Sequence, residues 1–138
     1  MKVVAITITN APSELARVSA LTDKFATANQ LSSDVIADLQ VALDEILINI
    51  IRYGYSDDRG HEISIQLRIE NGVLVSIIED DGRAFDPLTL PEPDVGAPLQ
   101  QRRAGGLGIH FVRNLMNEVT YNRSADRNRL ILKRDLKQ

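Results

Sequence analysis

The sequence predicts an α+β fold: a two-layer α/β sandwich in which helices cover one face of a mixed, largely antiparallel sheet. Segments with the two-residue alternation of strands are interspersed with segments whose apolar residues recur at helical spacing. At least one pair of strands has the turn of an antiparallel hairpin. A chain of 138 residues, 43% of them hydrophobic, has the size and the core of one domain, so residues 1–138 are assigned to a single domain.

The chain begins with a predicted strand and helix. Apolar residues fill most of positions 3–8, where Ile6 and Ile8 alternate with Thr7 and Thr9, and this strand ends before Pro12. Pro12 suits the first turn of a helix, and Glu14 favours the positive end of the helix dipole. The apolar residues that follow are expected to face the core: Leu15, Val18, Leu21 and Phe25.

The second predicted helix is the longest. Ser32, Ser33 and Asp34 can accept hydrogen bonds from its free backbone N–H groups, and it runs from about residue 35 to residue 53. Gly54 and the polar residues 56–60 end it. Its wide apolar face comprises Ile36, Leu39, Leu43, Ile46, Leu47 and Ile50.

The second half starts with a hairpin. Strands over residues 63–69 and 73–78 are joined by Asn71-Gly72, a pair that tolerates the positive φ angles of a tight turn. Residues 82–104 contain four of the five prolines and show no periodicity, which is typical of a functional lid or of disorder.

A third helix and two strands complete the predicted order. The helix starts in the glycine cluster at residues 105–108 and continues to about residue 117, and the strands cover residues 119–122 and 129–133. On this helix the apolar face, expected to lie in the core, comprises Phe111, Leu115 and Met116.

Composition excludes several classes of function. Without cysteine the chain has no disulfide framework and no thiolate metal site. No apolar run approaches the ~20 residues that span a bilayer, and residues 1–4 do not resemble a signal peptide, so we expect a soluble, cytoplasmic protein without membrane contact. The net charge of −3 argues against a nucleic-acid partner.

Glu45 and Asn49 form the first candidate site. Their four-residue spacing places them about 40° apart on one face of the second helix, one turn apart. Both stand among isoleucine and leucine, where a carboxylate and an amide are costly to bury without a metal or ligand. From this pair alone, a polar stripe at the border of the core is the simpler interpretation.

The acidic segment after the second hairpin strand is the second candidate. Asp80-Asp81-Gly82 follows a nearly continuous apolar strand, and such a segment is usually only a turn. A calcium loop is excluded, because with Gly82 at its sixth position Ile77 and Leu88 occupy places that require carboxylates. A carboxylate fixed at a strand end can instead accept a hydrogen bond from an amino group such as that of adenine, with Gly82 allowing close approach.

The third candidate is the glycine cluster Gly105-Gly106-Leu107-Gly108. At the start of a helix, glycines expose backbone N–H groups to which the helix dipole attracts anions. Linker flexibility alone could also account for them. The Walker motif and the Rossmann glycine motif are both absent, so any phosphate site here has another architecture.

The order and spacing of these three motifs resemble the Bergerat-type ATPases, which include gyrase and the histidine kinases. Further detail resembles one branch, the anti-sigma-factor serine kinases of partner-switching systems. These details are the segment 43–49 with Tyr55 closing the same helix, Phe85-Asp86 after the acidic turn, and residues 115–119 after the glycines. The resemblance covers nearly the whole chain.

This resemblance implies roles for individual residues. Asn49 coordinates Mg²⁺, and Glu45 orients or deprotonates the attacking serine hydroxyl. Asp80 accepts a hydrogen bond from the adenine amino group, beside Gly82. The phosphates bind at Gly105, Gly106 and Gly108, under an ATP lid formed by residues 87–104. Within that segment Arg102 and Arg103 either meet the γ-phosphate or remain in solvent.

As a whole, the resemblance implies an ATP- and Mg²⁺-dependent serine kinase that phosphorylates an anti-sigma-factor antagonist, sequesters a sigma factor and forms a homodimer. Two alternatives stay open: a nucleotide-binding module without phosphotransfer, and the catalytic domain of a histidine kinase. No candidate phospho-acceptor helix is present, because His61 follows a turn glycine and His110 lies inside the glycine-started helix. Both are expected to be ordinary exposed histidines. Ala84 replaces a glycine common in the superfamily, and Tyr53 stands where this branch often has histidine.

Overall fold

The computed structural model describes residues 2–86 and 106–136, and for residues 106–109 only the backbone. Within these ranges the elements are β1 (Val3–Thr9), α1 (Leu15–Ala28), α2 (Ser33–Tyr53), β2 (Glu62–Glu70), β3 (Val73–Asp80), α3 (Gly106–Leu115), β4 (Glu118–Ser124) and β5 (Arg127–Asp135). A short 3₁₀ turn, Pro12–Glu14, precedes α1. The predicted order of helices and strands is confirmed.

The five strands form one sheet in the order β1-β2-β3-β5-β4. All four pairings are antiparallel, so the expected mixed character is corrected, while the α+β class is confirmed. Strand β4 runs in the same direction as β3, but β5 lies between them and no parallel pair forms. This order places the end of β3 in the middle of the sheet, flanked by β2 and β5.

The helices cover one face of the sheet. One apolar cluster joins α1, α2 and α3 to the strands, and α2 contacts both other helices. The cluster contains side chains with almost no exposed surface, such as Leu39 and Leu47 of α2 and Ile65 and Leu132 of the sheet. Burial of this size is the main contribution to folding, at about 25 cal/mol per Å² of apolar surface.

The ends of α2 follow the sequence pattern. The Ser32 hydroxyl accepts a hydrogen bond from the backbone N–H of Val35 at 3.3 Å, and Gly54 forms the C-cap. Tyr55, expected to close the helix, lies beyond this cap. Among the helices in the described ranges, none combines the length and low charge needed to cross a bilayer.

The apolar face predicted for α3 is partly wrong. Val112 and Met116 point into the core, and Phe111, one residue earlier, is therefore rotated about 100° away and is 50% exposed. The helix also ends before residue 117, because the N–H of Asn117 donates to the Lys133 carbonyl at 2.8 Å and so joins β5.

Candidate functional site

One row of paired residues crosses the whole sheet on its helix-covered face. The pairings Ile8–Ile63, Ile63–Asp80, Asp80–Asn128 and Asn128–Arg123 are each in register. The row is apolar on one side and changes to polar at Asp80. A carboxylate and an amide in core-facing positions are costly unless their hydrogen-bonding groups are satisfied.

Asp80 is buried, with 4% of its surface exposed. Its Oδ1 accepts hydrogen bonds from the Gly82 backbone N–H at 2.8 Å and from Nδ2 of Asn128 at 3.0 Å. Burial raises the pKa of Asp80, and the hydrogen bonds from Asn128 and Gly82 oppose that rise. Its other oxygen, Oδ2, receives no hydrogen bond within residues 2–86 and 106–136, which leaves an acceptor for a ligand.

Asn128 connects Asp80 to the turn that follows it. Besides the bond to Asp80, its Nδ2 donates to the Arg83 carbonyl at 2.8 Å. Its Oδ1 accepts from the Tyr121 hydroxyl and, at 2.9 Å, from Nη1 of Arg123. The amide therefore cannot rotate without breaking several bonds, and it fixes the orientation of the Asp80 carboxylate.

Asn49 reaches the same place from α2. Its Nδ2 donates to the Glu45 carbonyl at 2.7 Å, and the side chain is buried with 6% exposed. Since a carbonyl only accepts, the amide nitrogen must face Glu45 and Oδ1 must face away from it. No donor to this oxygen lies in the part of the chain that the structure describes.

Asp80, Asn49 and Asn128 line one cavity of about 250 Å³ between the end of α2 and the sheet. Of the five buried polar side chains in the described ranges, these three are the ones that share a cavity. Polar groups gathered in an otherwise apolar pocket are the usual composition of a ligand site. Its remaining walls are Ile46, Ile50, Tyr53, Gly54, Arg83, Phe85, Tyr121 and Leu130.

Gly82 is required by the protein's own packing. A Cβ there would lie 2.6 Å from the Gly54 carbonyl oxygen and 2.9 Å from Oδ1 of Asp80. The next residue, Arg83, donates its backbone N–H to the same Gly54 carbonyl at 2.8 Å, and its Nε donates to the Tyr53 carbonyl. The turn after β3 is thereby joined to the carbonyl end of α2.

Gly82→Ala is therefore expected to lower the free energy of unfolding by about 1–3 kcal/mol, because the new methyl group contacts backbone that cannot move aside. Urea denaturation measures the change. Gly60→Ala is the matched control, since a Cβ there meets no atom within 4 Å and should add about 0.4–1 kcal/mol. Equal effects of the two substitutions would contradict the proposed role of the Gly54–Gly82 contact.

The remaining predicted site residues are placed less completely. Glu45 is half-buried and lies outside the cavity wall, which it reaches through its carbonyl bond to Asn49. Gly106 and Gly108 lie in the first turn of α3. Gly105 and the predicted lid, residues 87–104 with Arg102 and Arg103, lie outside the described residues.

The two departures from the family pattern have different surroundings. Tyr53 is 38% exposed and forms part of the cavity wall, so a ligand would contact it. Ala84 is exposed and does not adopt positive φ, so the chain needs no glycine at this place.

The geometry agrees with comparisons to known proteins. A family model described as a histidine kinase-like ATPase domain matches residues 8–134. The chain belongs to this family. Residues 2–86 and 110–136 contain no group of three or more His, Cys, Asp or Glu that could hold a metal ion.

Several curated relatives of this ATPase-domain chain are named serine-protein kinase RsbW. The protein of Bacillus subtilis is 32% identical over 91 residues, which cover 62% of this chain and 56% of the relative. That of Oceanobacillus iheyensis is 31% identical over 96 residues, covering 66% and 60%. The matches thus span less than two thirds of these relatives' length.

A solved structure has the same fold. The crystal structure of the RsbU and RsbW domains of a Mycobacterium tuberculosis protein aligns with a TM-score of 0.69 and 17% sequence identity. The alignment covers 100% of this chain and 33% of that one. At this identity the likeness supports the fold class and its five-stranded sheet, and nothing finer.

Sequence reasoning missed the residues that β4 and β5 contribute. Asn128 lies just before the predicted last strand, and Tyr121 and Arg123 stand in or beside the predicted strand before it. No spacing signal marks them, because their proximity to Asp80 depends on the strand order β3-β5-β4 and on its register. An alternating pattern predicts a strand but not its neighbour.

Proposed function

We propose that this chain binds ATP with Mg²⁺ in the cavity beside Asp80 and transfers the γ-phosphate to a serine of an anti-sigma-factor antagonist. In the same partner-switching system, the chain alternates between this antagonist and a sigma factor, which it sequesters. The observation that carries the proposal is the buried Asp80, which lines the cavity and is held through Oδ1, while Oδ2 receives no hydrogen bond from the described residues. The family and the serine-kinase relatives support the same reading.

The base site follows from the chemistry of its donors and acceptors. Oδ2 of Asp80 offers one acceptor to an exocyclic amino group, which adenine carries. Ile46, Ile50 and Leu130 provide apolar walls for a planar ring. Gly82 is not among the residues that line this cavity, but Arg83, which follows it in the turn, is.

The metal site has a suitable donor in Asn49. An amide oxygen is a hard ligand of the type Mg²⁺ prefers, and Oδ1 is the atom that α2 leaves without a partner. The ion when bound would neutralise charge on the phosphates. Mg²⁺ usually takes one or two protein ligands and the substrate phosphates, which fits a chain without a dedicated cage of carboxylates in its described part.

Glu45 is the proposed general base. It lies one turn before Asn49 on the same helix face and is half-buried, so its carboxylate can orient a serine hydroxyl next to the phosphates. The first turn of α3, with Gly106 and Gly108, offers backbone N–H groups to those phosphates. Gly105 is assigned the same role.

Calorimetric titration of ATP with Mg²⁺, followed by phosphotransfer to antagonist proteins from the chain's own genome, tests the proposal. We expect saturable binding and a phosphate that mass spectrometry locates on a serine of one antagonist. Binding without transfer to any of them would favour the regulatory module, and absence of binding by folded protein would overturn the ATPase function. Light scattering on the same sample tests the expected homodimer.

A further inference from the structure

A charged cluster lies directly behind the cavity wall. Nε2 of His61 is 2.8 Å from Oδ1 of Asp57, in the loop after α2, and its Nδ1 is 3.3 Å from Oδ1 of Asp81, at the end of β3. The imidazole stacks on the ring of Tyr55, with centroids 4.1 Å apart and planes at 12°. Only 16% of the histidine side chain is exposed, which corrects the expectation of an ordinary exposed residue.

The geometry suits the imidazolium form of His61. That form has two N–H donors, one for each carboxylate, whereas neutral imidazole has one donor and would turn a lone pair towards the other carboxylate. The hydrogen bond to Asp57 is the largest cause that raises the pKa of His61 above its ordinary value. Burial opposes this rise, and the interaction with Asp81 adds to it by a smaller amount.

The other charged and titratable groups near the cluster do not remove the preference for protonated His61. Arg59 lies 3.8 Å from Oδ2 of Asp57, on the side away from the imidazole bond. Asp80 adds a further negative charge near Tyr55, and Arg127 a positive one. The Tyr55 hydroxyl is buried and has no hydrogen-bond partner among the described residues. Burial raises its pKa, so it stays neutral while His61 titrates.

The cluster is mechanically connected to the nucleotide cavity. A second cavity of about 230 Å³, lined by His61 and Asp81, shares Gly54 and Arg83 with the cavity beside Asp80. In the sequence, Asp81 lies between Asp80, whose carboxylate is the proposed ligand contact, and Gly82. A bond that holds Asp81 to the loop after α2 therefore restrains the whole turn.

We propose that protonated His61 is a positioning residue of the nucleotide site, which by bridging Asp57 and Asp81 holds the turn of residues 80–82 in its binding conformation. The affinity for nucleotide then falls as His61 loses its proton. This inference rests on the proposed function, because it makes the nucleotide affinity of that same site depend on pH.

The sign of the pH effect follows from the direction of the shift. A histidine whose pKa is raised in the folded state contributes its full stabilisation below the ordinary value of about 6.5. The contribution is lost as pH rises through the raised value. The change is therefore expected above pH ~6.5 and not in the acidic range where carboxylates titrate.

Calorimetric titration of Mg²⁺–ATP from about pH 6 to about pH 9 tests the proposal. Wild type should lose about threefold to tenfold in affinity across this range, in excess of any loss in His61→Gln, whose affinity should already be reduced at the acidic end. His110→Gln, the other histidine of the chain, should behave as wild type. Parallel profiles for wild type and His61→Gln would overturn the proposal.

A second measurement separates this inference from the proposed function. NMR titration of the His61 ring in the ligand-free protein should show a raised pKa that Asp57→Asn and Asp81→Asn each lower. An unshifted pKa in wild type would refute the bridge whether or not ATP binds. Absence of ATP binding at every pH, with the raised pKa present, would instead refute the ATPase function and, with it, the positioning role.

Discussion

Asp80→Asn is expected to weaken ATP binding by at least about a hundredfold while the fold stays intact. The two donors at Oδ1, the Gly82 N–H and the Asn128 amide, require an acceptor in that position. The new amide must therefore direct its NH₂ group into the cavity where Oδ2 now lies. Two donors would then face each other, the substituted amide and the adenine amino group.

Titration calorimetry with ATP and with purine riboside triphosphate, which lacks the amino group, tests the contact between residue 80 and that group. Wild type should prefer ATP, and Asp80→Asn should lose or reverse that preference, because the analogue has no amino group to oppose the new amide. Glu79→Gln is the matched control, because it removes one negative charge from the neighbouring position of β3, which lines a different cavity on the other sheet face. A wild type that binds both nucleotides equally would refute the proposed contact.

The same variant should be at least as stable as wild type at neutral pH. Because the pKa of Asp80 is raised in the folded protein, ionisation of this carboxyl opposes folding once pH exceeds its ordinary value near 4. The neutral amide removes that opposition. Thermal denaturation at about pH 7 and about pH 3 should therefore show a relative gain at the higher pH, and a large loss at both would indicate a misfolded variant.

Glu45→Gln is expected to reduce phosphotransfer by about a hundredfold to ten-thousandfold with ATP affinity nearly unchanged. The carboxylate is the proposed base for the serine proton, and it lies outside the cavity wall that would hold the nucleotide. The backbone carbonyl that holds the Asn49 amide is retained in this variant, so the metal ligand keeps its orientation.

Single-turnover transfer from γ-labelled ATP to the antagonist protein measures this effect, with calorimetry on the same preparation. Asp44→Asn provides the control, because it removes an exposed carboxylate from the adjacent position of α2. Transfer at the wild-type rate in Glu45→Gln would exclude Glu45 as the base. A parallel loss of ATP affinity would assign it to binding instead.

Three local features show how far sequence reasoning extends. The cap at Ser32, the end of α2 at Gly54 and the turn at Asn71-Gly72 were all predicted, since each depends on the local chemistry of a few residues. The turn between β4 and β5 was not predicted, because Ala125 and Asp126 adopt positive φ there without the glycine that usually marks such a turn.

The sequence by itself determined the α+β class, the order of elements and the positions of Asn49 and Asp80, because periodicity, caps and buried polar residues are local properties. Only the tertiary structure decided which strand lies beside β3. That choice sets Asn128 opposite Asp80 and brings Tyr121 and Arg123 to it. It also decided that His61 bridges two carboxylates far apart in sequence, since strand register and loop packing arise from contacts that no single segment contains.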